Sequence, residues 1–155
     1  DKNTTGLCMS AKSTLAAGLL IGAVEKEYIA VAEGVLPDES GTIDVPIGRV
    51  EGSIILRKPD LNGQSAVTHY KVIARTDTHT MVSVRLETGR THQIRVHFAW
   101  LGHPLAGDDL YGGHLGKINR HALHCAKMAF LQPFTRQPVE LSASLPSDMA
   151  HIMGL

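Results

Sequence analysis

The middle of the chain carries two alternating runs, "SAVTHYKVIAR" and "HTMVSVRLET", joined by only the polar turn "TDTH". So short a connection leaves no room for a crossover, so the two strands must pair antiparallel. Val82, Val84 and Leu86 then share one face of the second strand. A third run, "EKEYIAVAEG", alternates in the same way: Tyr28, Ala30 and Ala32 face one side, and Ile29, Val31 and Glu33 face the other. Pro37, Asp38, Ser40 and Gly41 end it. A sheet of this kind needs an apolar cover. "THQIRVHFAWLG" supplies one, because its period changes to helical, with Ile94, Phe98 and Leu101 on one stripe and Gly102 and Pro104 as stop signals.

The remaining stretches extend this pattern. "GLCMSAKS" reads as a short strand, and Thr14 to Leu20 reads as an Ala/Leu-rich helix. "GTIDVPIGRVEGS" is punctuated by Pro and Gly and reads as a connection with little regular structure. "HALHCAKMAFLQP" predicts another buried strand, and "VELSASLPSDM" predicts a last strand running into a polar tail. The expected class is α+β, a mixed but mainly antiparallel sheet with a few helices. At 155 residues and 43% hydrophobic content, the chain can bury one substantial core, so residues 1–155 read as one domain. Nothing in it has the length of a bilayer span or the pattern of a secretion signal. Cys8 and Cys125 match no zinc or disulfide spacing. The default expectation is a soluble, cytoplasmic monomer with reduced thiols.

Charge cancels over the whole chain but not locally. From Arg85 to Arg136 seven Lys or Arg face three acids, whereas from Glu25 to Asp60 eight acids face four bases. That asymmetry predicts a face attractive to phosphates. The same basic region contains "RLETGRTHQIRVHFAWLGHPLAGDDLYG". There a strand runs into a Thr-Gly-Arg turn, and Thr91 is the expected cap of a helix that brings His92 and Arg95 onto its first turns. Arginines at such a rigid junction, Arg90 included, suit phosphate binding or a bidentate pair with a carboxylate. From the bare pattern alone, an ordinary amphipathic helix with solvated arginines is the favoured reading.

"ETGRTHQIRVH", "GHPLAGDDLYG" and "ALHCAKMAF" together resemble the RluA-type family of pseudouridine synthases, in family order. "DVPIGR" with "SAVTHYKV" resembles its central segment, "EKEYIAV" its tyrosine motif, and "DKNTTG" the end of its His-Arg-Leu-Asp-x-x-Thr-Ser-Gly motif. The resemblance implies a pseudouridine synthase fold lacking its N-terminal part here, so that residues 1–155 form the later portion of a catalytic domain. It implies an isomerase that detaches uracil from ribose in ribosomal or transfer RNA and rejoins it through carbon, with no cofactor.

By motif, Asp1 corresponds to the catalytic aspartate, Tyr28 to the tyrosine against the uracil ring, and Arg95 to the arginine paired with the aspartate. Arg90, His92, Ile94 and Leu123 are expected substrate-binding residues, the last two as apolar pocket wall. An ionised carboxylate suits attack at the sugar or base, or removal of a sugar proton. A guanidinium partner favours that ionised form. An aromatic face suits a base lifted from its stack.

This sequence departs from the family at Thr5, where serine is usual, and at "LAAGLLIGAVEKEY", which lacks a longer helix and basic connection. The expectation is a segment missing near Leu20 to Gly22. A metal-dependent hydrolase is the first rival, since His121, His124 and Cys125 cluster in sequence with His92, His97 and His103 nearby. No His-Glu-x-x-His arrangement is present, and two residues three apart on a strand point to opposite faces, so no metal site is expected. The second rival is an RNA-binding fragment without catalysis.

Overall fold

The computed structural model describes all residues, 1–155. Its centre is a seven-stranded, mainly antiparallel sheet. In chain order the elements are β1 (Thr5–Gly6), α1 (Thr14–Leu20), β2 (Glu25–Glu33), β3 (Ser40–Asp44), β4 (Ile47–Arg49), β5 (Arg57–Pro59), β6 (Val67–Arg75) and β7 (His79–Leu86). Then follow α2 (Gln93–Trp100), a single 3₁₀ turn (Asp109–Tyr111), β8 (Leu123–Leu131), β9 (Pro138–Ser142) and α3 (Ser147–Ile152).

The strands lie in the order β1, β8, β2, β7, β6, β3, and β9 also pairs with β8. The outer edge of β8 is therefore shared: β1 runs parallel to it at His124 and Cys125, and β9 runs antiparallel to it from Lys127 to Leu131. The β6–β7 hairpin pairs as its short turn requires. Strands β4 and β5 form a separate two-stranded ribbon.

Alternation along β2 sets the two faces of the sheet. Ala30 and Ala32 join Val82, Val84, Ile94, Phe98, Leu105 and Leu123 in one buried cluster under α2, with Tyr28 packed against it. Val31 faces the other way, into a second cluster with Met81, Ala122, Met149 and Ile152. Phe98 is fully buried, and a side chain of that kind contributes roughly 2–3 kcal/mol by leaving water.

Three local expectations are corrected. "GTIDVPIGRVEGS" holds two strands, β3 and β4, because buried Ile43 and Ile47 need extended backbone to reach the core. Pro46 falls between them, where its missing N–H interrupts no ladder. The polar tail after β9 is helix α3, whose Met149 and Ile152 cap the Val31 face, while Arg120 grips Asp148 through bonds of 2.9 and 2.8 Å. "GLCMSAKS" is mostly irregular, since only Thr5–Gly6 pairs with β8. From α1 the backbone enters β2 through a short turn with Gly22 at φ 71°.

No helix is long and apolar enough to cross a membrane.

Candidate active site

The turn from β7 into α2 is built on buried polar side chains. Gln93 is 2% exposed, and all four of its hydrogen-bonding positions are used. Its carbonyl oxygen accepts from the Thr88 hydroxyl and the Arg90 backbone N–H, and its amide donates to the Val67 carbonyl and Thr68 Oγ1. The Thr68 hydroxyl meets His97 Nδ1 at 2.8 Å, and His97 Nε2 meets the Val45 carbonyl at 2.9 Å. Burial lowers the His97 pKa, consistent with a neutral ring that donates from Nε2 and accepts at Nδ1. This network welds α2 to β6, so the side chains on the first turn of α2 have fixed positions.

Thr91 does not cap that helix. His92 occupies the cap position at φ 59°, a left-handed conformation uncommon for a residue with a side chain, and makes no capping bond. The imidazole is instead turned inward, with Nδ1 2.7 Å from the Tyr111 hydroxyl and Nε2 3.1 Å from Asp1 Oδ1. Burial, followed by the charge of neighbouring Arg95, lowers the His92 pKa to about 4, so the ring is neutral near pH 7.

Arg95, 6% exposed, donates from Nε and Nη2 to the two carboxylate oxygens of Asp108, both at 2.7 Å. Its Nη1 lies 3.8 Å from Asp1 Oδ2, and its guanidinium carbon sits 4.9 Å from the centre of the Tyr111 ring. Asp1 and Arg95 therefore meet, but the close bidentate partner is Asp108, a residue sequence reasoning did not single out. The signal was present in "GDDLYG": an acid and an aromatic beside a tight turn, near a helix carrying a buried arginine.

The segment bearing Asp1 is held against β8 by the side chains of the apparent metal cluster. Thr4 Oγ1 bonds His121 Nε2, and Thr5 Oγ1 bonds His124 Nδ1, both at 2.9 Å. No three potential ligands among His, Cys, Asp and Glu come together to hold a metal ion. Gly6 completes the attachment. At φ 94° it lies so close to β8 that an added Cβ would overlap the Cys125 carbonyl.

Tyr28 lies on β2 at a register shift, where Glu27 pairs with Lys127 but Tyr28 pairs with Cys125, leaving Ala126 as the extra residue. Such bulges re-aim side chains. Tyr28 packs against the cluster containing Ile94 and Leu123, each 4% exposed. Its ring also lines an open groove of about 1320 Å³ with Met9, Leu20, Arg85, Thr88 and Lys127. Burial, then the nearby Cys125 thiol, pushes the Tyr28 phenol up to about 12. The structure thus makes two groups, Asp1–His92–Arg95 and Tyr28–Ile94–Leu123. They are linked where Ile94 precedes Arg95 and where Thr5 bonds the Leu123 carbonyl at 3.4 Å. No hydrogen bond joins Tyr28 to Asp1.

Arg90 stands outside both groups, its Nε donating to the Ser65 carbonyl at 2.9 Å. The broad basic face is largely neutralised: Arg85 and Lys127 pair with Glu27, Arg95 with Asp108, and Arg120 with Asp148. Arg90, Lys117 and Arg136 have no carboxylate partner.

The family model for RNA pseudouridylate synthase matches residues 1–100. "Uncharacterized RNA pseudouridine synthase YjbO" of Bacillus subtilis is 44% identical over 158 residues, covering 99% of this chain and 56% of that protein. "Ribosomal large subunit pseudouridine synthase D" of Vibrio cholerae is 40% identical over 171 residues, covering 98% of this chain and 52% of that protein. The chain thus spans about half the length of these curated relatives. Among solved structures, human RNA pseudouridylate synthase domain containing 1 aligns with a TM-score of 0.69 at 28% identity, covering 89% of this chain and 66% of that one. With the family model matching well over half of the chain, and that match including Asp1, Tyr28 and the β7–α2 turn, the chain belongs to the RNA pseudouridylate synthase family.

Proposed function

We propose that the protein carrying this chain converts uridine in RNA to pseudouridine, with Asp1 as its catalytic carboxylate. The observation that carries the reading is the setting of Asp1: a carboxylate facing His92 Nε2 at 3.1 Å and Arg95 Nη1 at 3.8 Å. A cation and an N–H donor favour the ionised form, which the chemistry requires. The reaction breaks the bond from ribose C1′ to uracil N1 and forms one from C1′ to C5. The C5 proton leaves and N1 gains a proton. It is redox-neutral, so the proposal includes no cofactor.

The residues divide the work. Asp1 acts at the sugar or the base. Tyr28 offers its ring to a uracil lifted from its stack, with Ile94 and Leu123 behind it. With its pKa near 12, Tyr28 starts each turnover protonated, as a hydrogen-bond donor. Arg90 keeps guanidinium nitrogens free for a backbone phosphate. Large-subunit ribosomal RNA is the proposed target, supported by the printed name of the Vibrio cholerae relative, and a cytoplasmic, monomeric enzyme accords with it.

A purely RNA-binding role is the weaker reading. A carboxylate at the centre of the site repels phosphate, which a simple RNA-binding surface has no reason to tolerate.

Asp1→Asn tests the proposal. In the full-length protein, pseudouridine formation should fall by at least about a thousandfold, as expected for removal of the reacting carboxylate, while RNA affinity changes little. Mapping pseudouridines in ribosomal and transfer RNA from cells with and without the gene identifies the target. Full turnover by the variant would refute the role of Asp1.

A further inference from the structure

We propose that Tyr111 and His92 are positioning residues: the Tyr111 hydroxyl, hydrogen-bonded to His92, holds the imidazole against the Asp1 carboxylate and so fixes that carboxylate for reaction. The inference rests on the reading of Asp1 given above.

This hydrogen-bonded strut begins at a fixed donor. The Arg57 backbone N–H points at the Tyr111 hydroxyl oxygen at 3.1 Å. That oxygen lies 2.7 Å from His92 Nδ1, and His92 Nε2 lies 3.1 Å from Asp1 Oδ1. Polarity along the chain is biased from both ends. Arg57 can only donate, so the Tyr111 oxygen accepts there. An ionised Asp1 carboxylate 3.1 Å from His92 Nε2 favours the tautomer with hydrogen on that nitrogen over one that sets a lone pair there. A neutral imidazole with hydrogen on Nε2 has a lone pair on Nδ1, and the Tyr111 hydroxyl donates to it. The Arg57 N–H and the Tyr111 hydroxyl then each meet an acceptor, and Nε2–H is the end that faces the carboxylate. The opposite tautomer would set a lone pair of Nε2 against the carboxylate.

Two further observations fit a positioning role. His92 has a left-handed backbone at φ 59° with no capping bond, so its conformation answers to the side chain and not to the helix. Tyr111 also stands edge-on to His92, with ring centres 5.5 Å apart, and lies beneath the Arg95 guanidinium. One aromatic side chain therefore contacts both residues that flank Asp1. Misplacing a reacting group by about 1 Å can cost roughly a hundredfold in rate.

The test uses the full-length protein and total RNA from cells lacking the gene, followed under single-turnover conditions with RNA binding measured in parallel. Tyr111→Phe keeps the ring beneath Arg95 and removes only the hydroxyl. It should lower the rate about tenfold with little change in RNA affinity. His92→Phe should lower it about a hundredfold. His92→Gln should recover part of that loss, because its amide can still donate to Asp1.

Adding Tyr111→Phe to His92→Phe should cost nothing more, since the strut is already cut. Imidazole ¹⁵N spectra of the unaltered protein should show His92 protonated on Nε2. A wild-type rate for Tyr111→Phe, multiplicative losses in the double variant, a parallel fall in RNA affinity, or protonation on Nδ1 would each overturn the strut. Full activity of Asp1→Asn would instead overturn the underlying reading of Asp1.

Discussion

Arg95 and Asp108 form a bidentate pair with both bonds at 2.7 Å, and the Asp108 side chain is fully removed from solvent. The pair joins α2 to the turn preceding Tyr111 and leaves one guanidinium nitrogen facing Asp1. Its energetics follow from burial. Removing one partner strands the other charge in a medium that cannot solvate it.

Asp108→Ala should therefore destabilise the protein by about 3–5 kcal/mol, far more than loss of an exposed ion pair. Urea unfolding of the full-length variant reads this directly. A change below about 1 kcal/mol would show that the pair is solvated and that Arg95 is held by other contacts.

Gln93→Leu should cost about 2–4 kcal/mol, because it keeps the bulk but leaves buried Thr68, half-buried Thr88 and the Arg90 N–H each one partner short. Thermal melts check the stability. Slower turnover by the residual folded enzyme would show that the same network sets the positions of His92 and Arg95.

Gly6→Ala tests the anchor of the Asp1 segment. An added methyl meets the β8 backbone at a positive φ, so β1 should detach while the sheet built on β2, β6, β7 and β8 persists. Turnover should fall about a hundredfold with a near-normal circular dichroism spectrum. Wild-type activity would show that β1 is not needed to place Asp1.

Stability should also decline in mild acid. His92 and His121 are each lowered from 6.5 to about 4, chiefly by burial, so the unfolded chain binds more protons than the folded one between those values. The stabilisation is complete above about pH 6.5 and is lost as pH falls toward about 4. His97 and His79, also lowered by burial, add in the same direction. Denaturant midpoints at pH 7.5, 6, 5 and 4 should fall progressively below about 6.5. A midpoint that is constant down to pH 5 would show that these rings are protonated in the folded state.

Periodicity determined the parts of this protein that are local in origin. The alternation of β2 assigned Ala30 and Val31 to opposite faces, the short "TDTH" turn set the antiparallel β6–β7 pair, and the Ile94–Phe98–Leu101 stripe gave α2 its buried side. Motif order marked Asp1, Tyr28 and Arg95 as a set. What the sequence concealed depends on contacts between distant segments. The strands β3 and β4 and the helix α3 exist because Ile43, Ile47 and Met149 find buried places on surfaces made elsewhere in the chain. The pairing of Arg95 with Asp108, the inward turn of His92 and the role of Tyr111 as a shared partner were likewise decided by the tertiary structure. A charged or polar side chain has many complements in sequence, and only the buried geometry, where an unmatched group is costly, selects one of them.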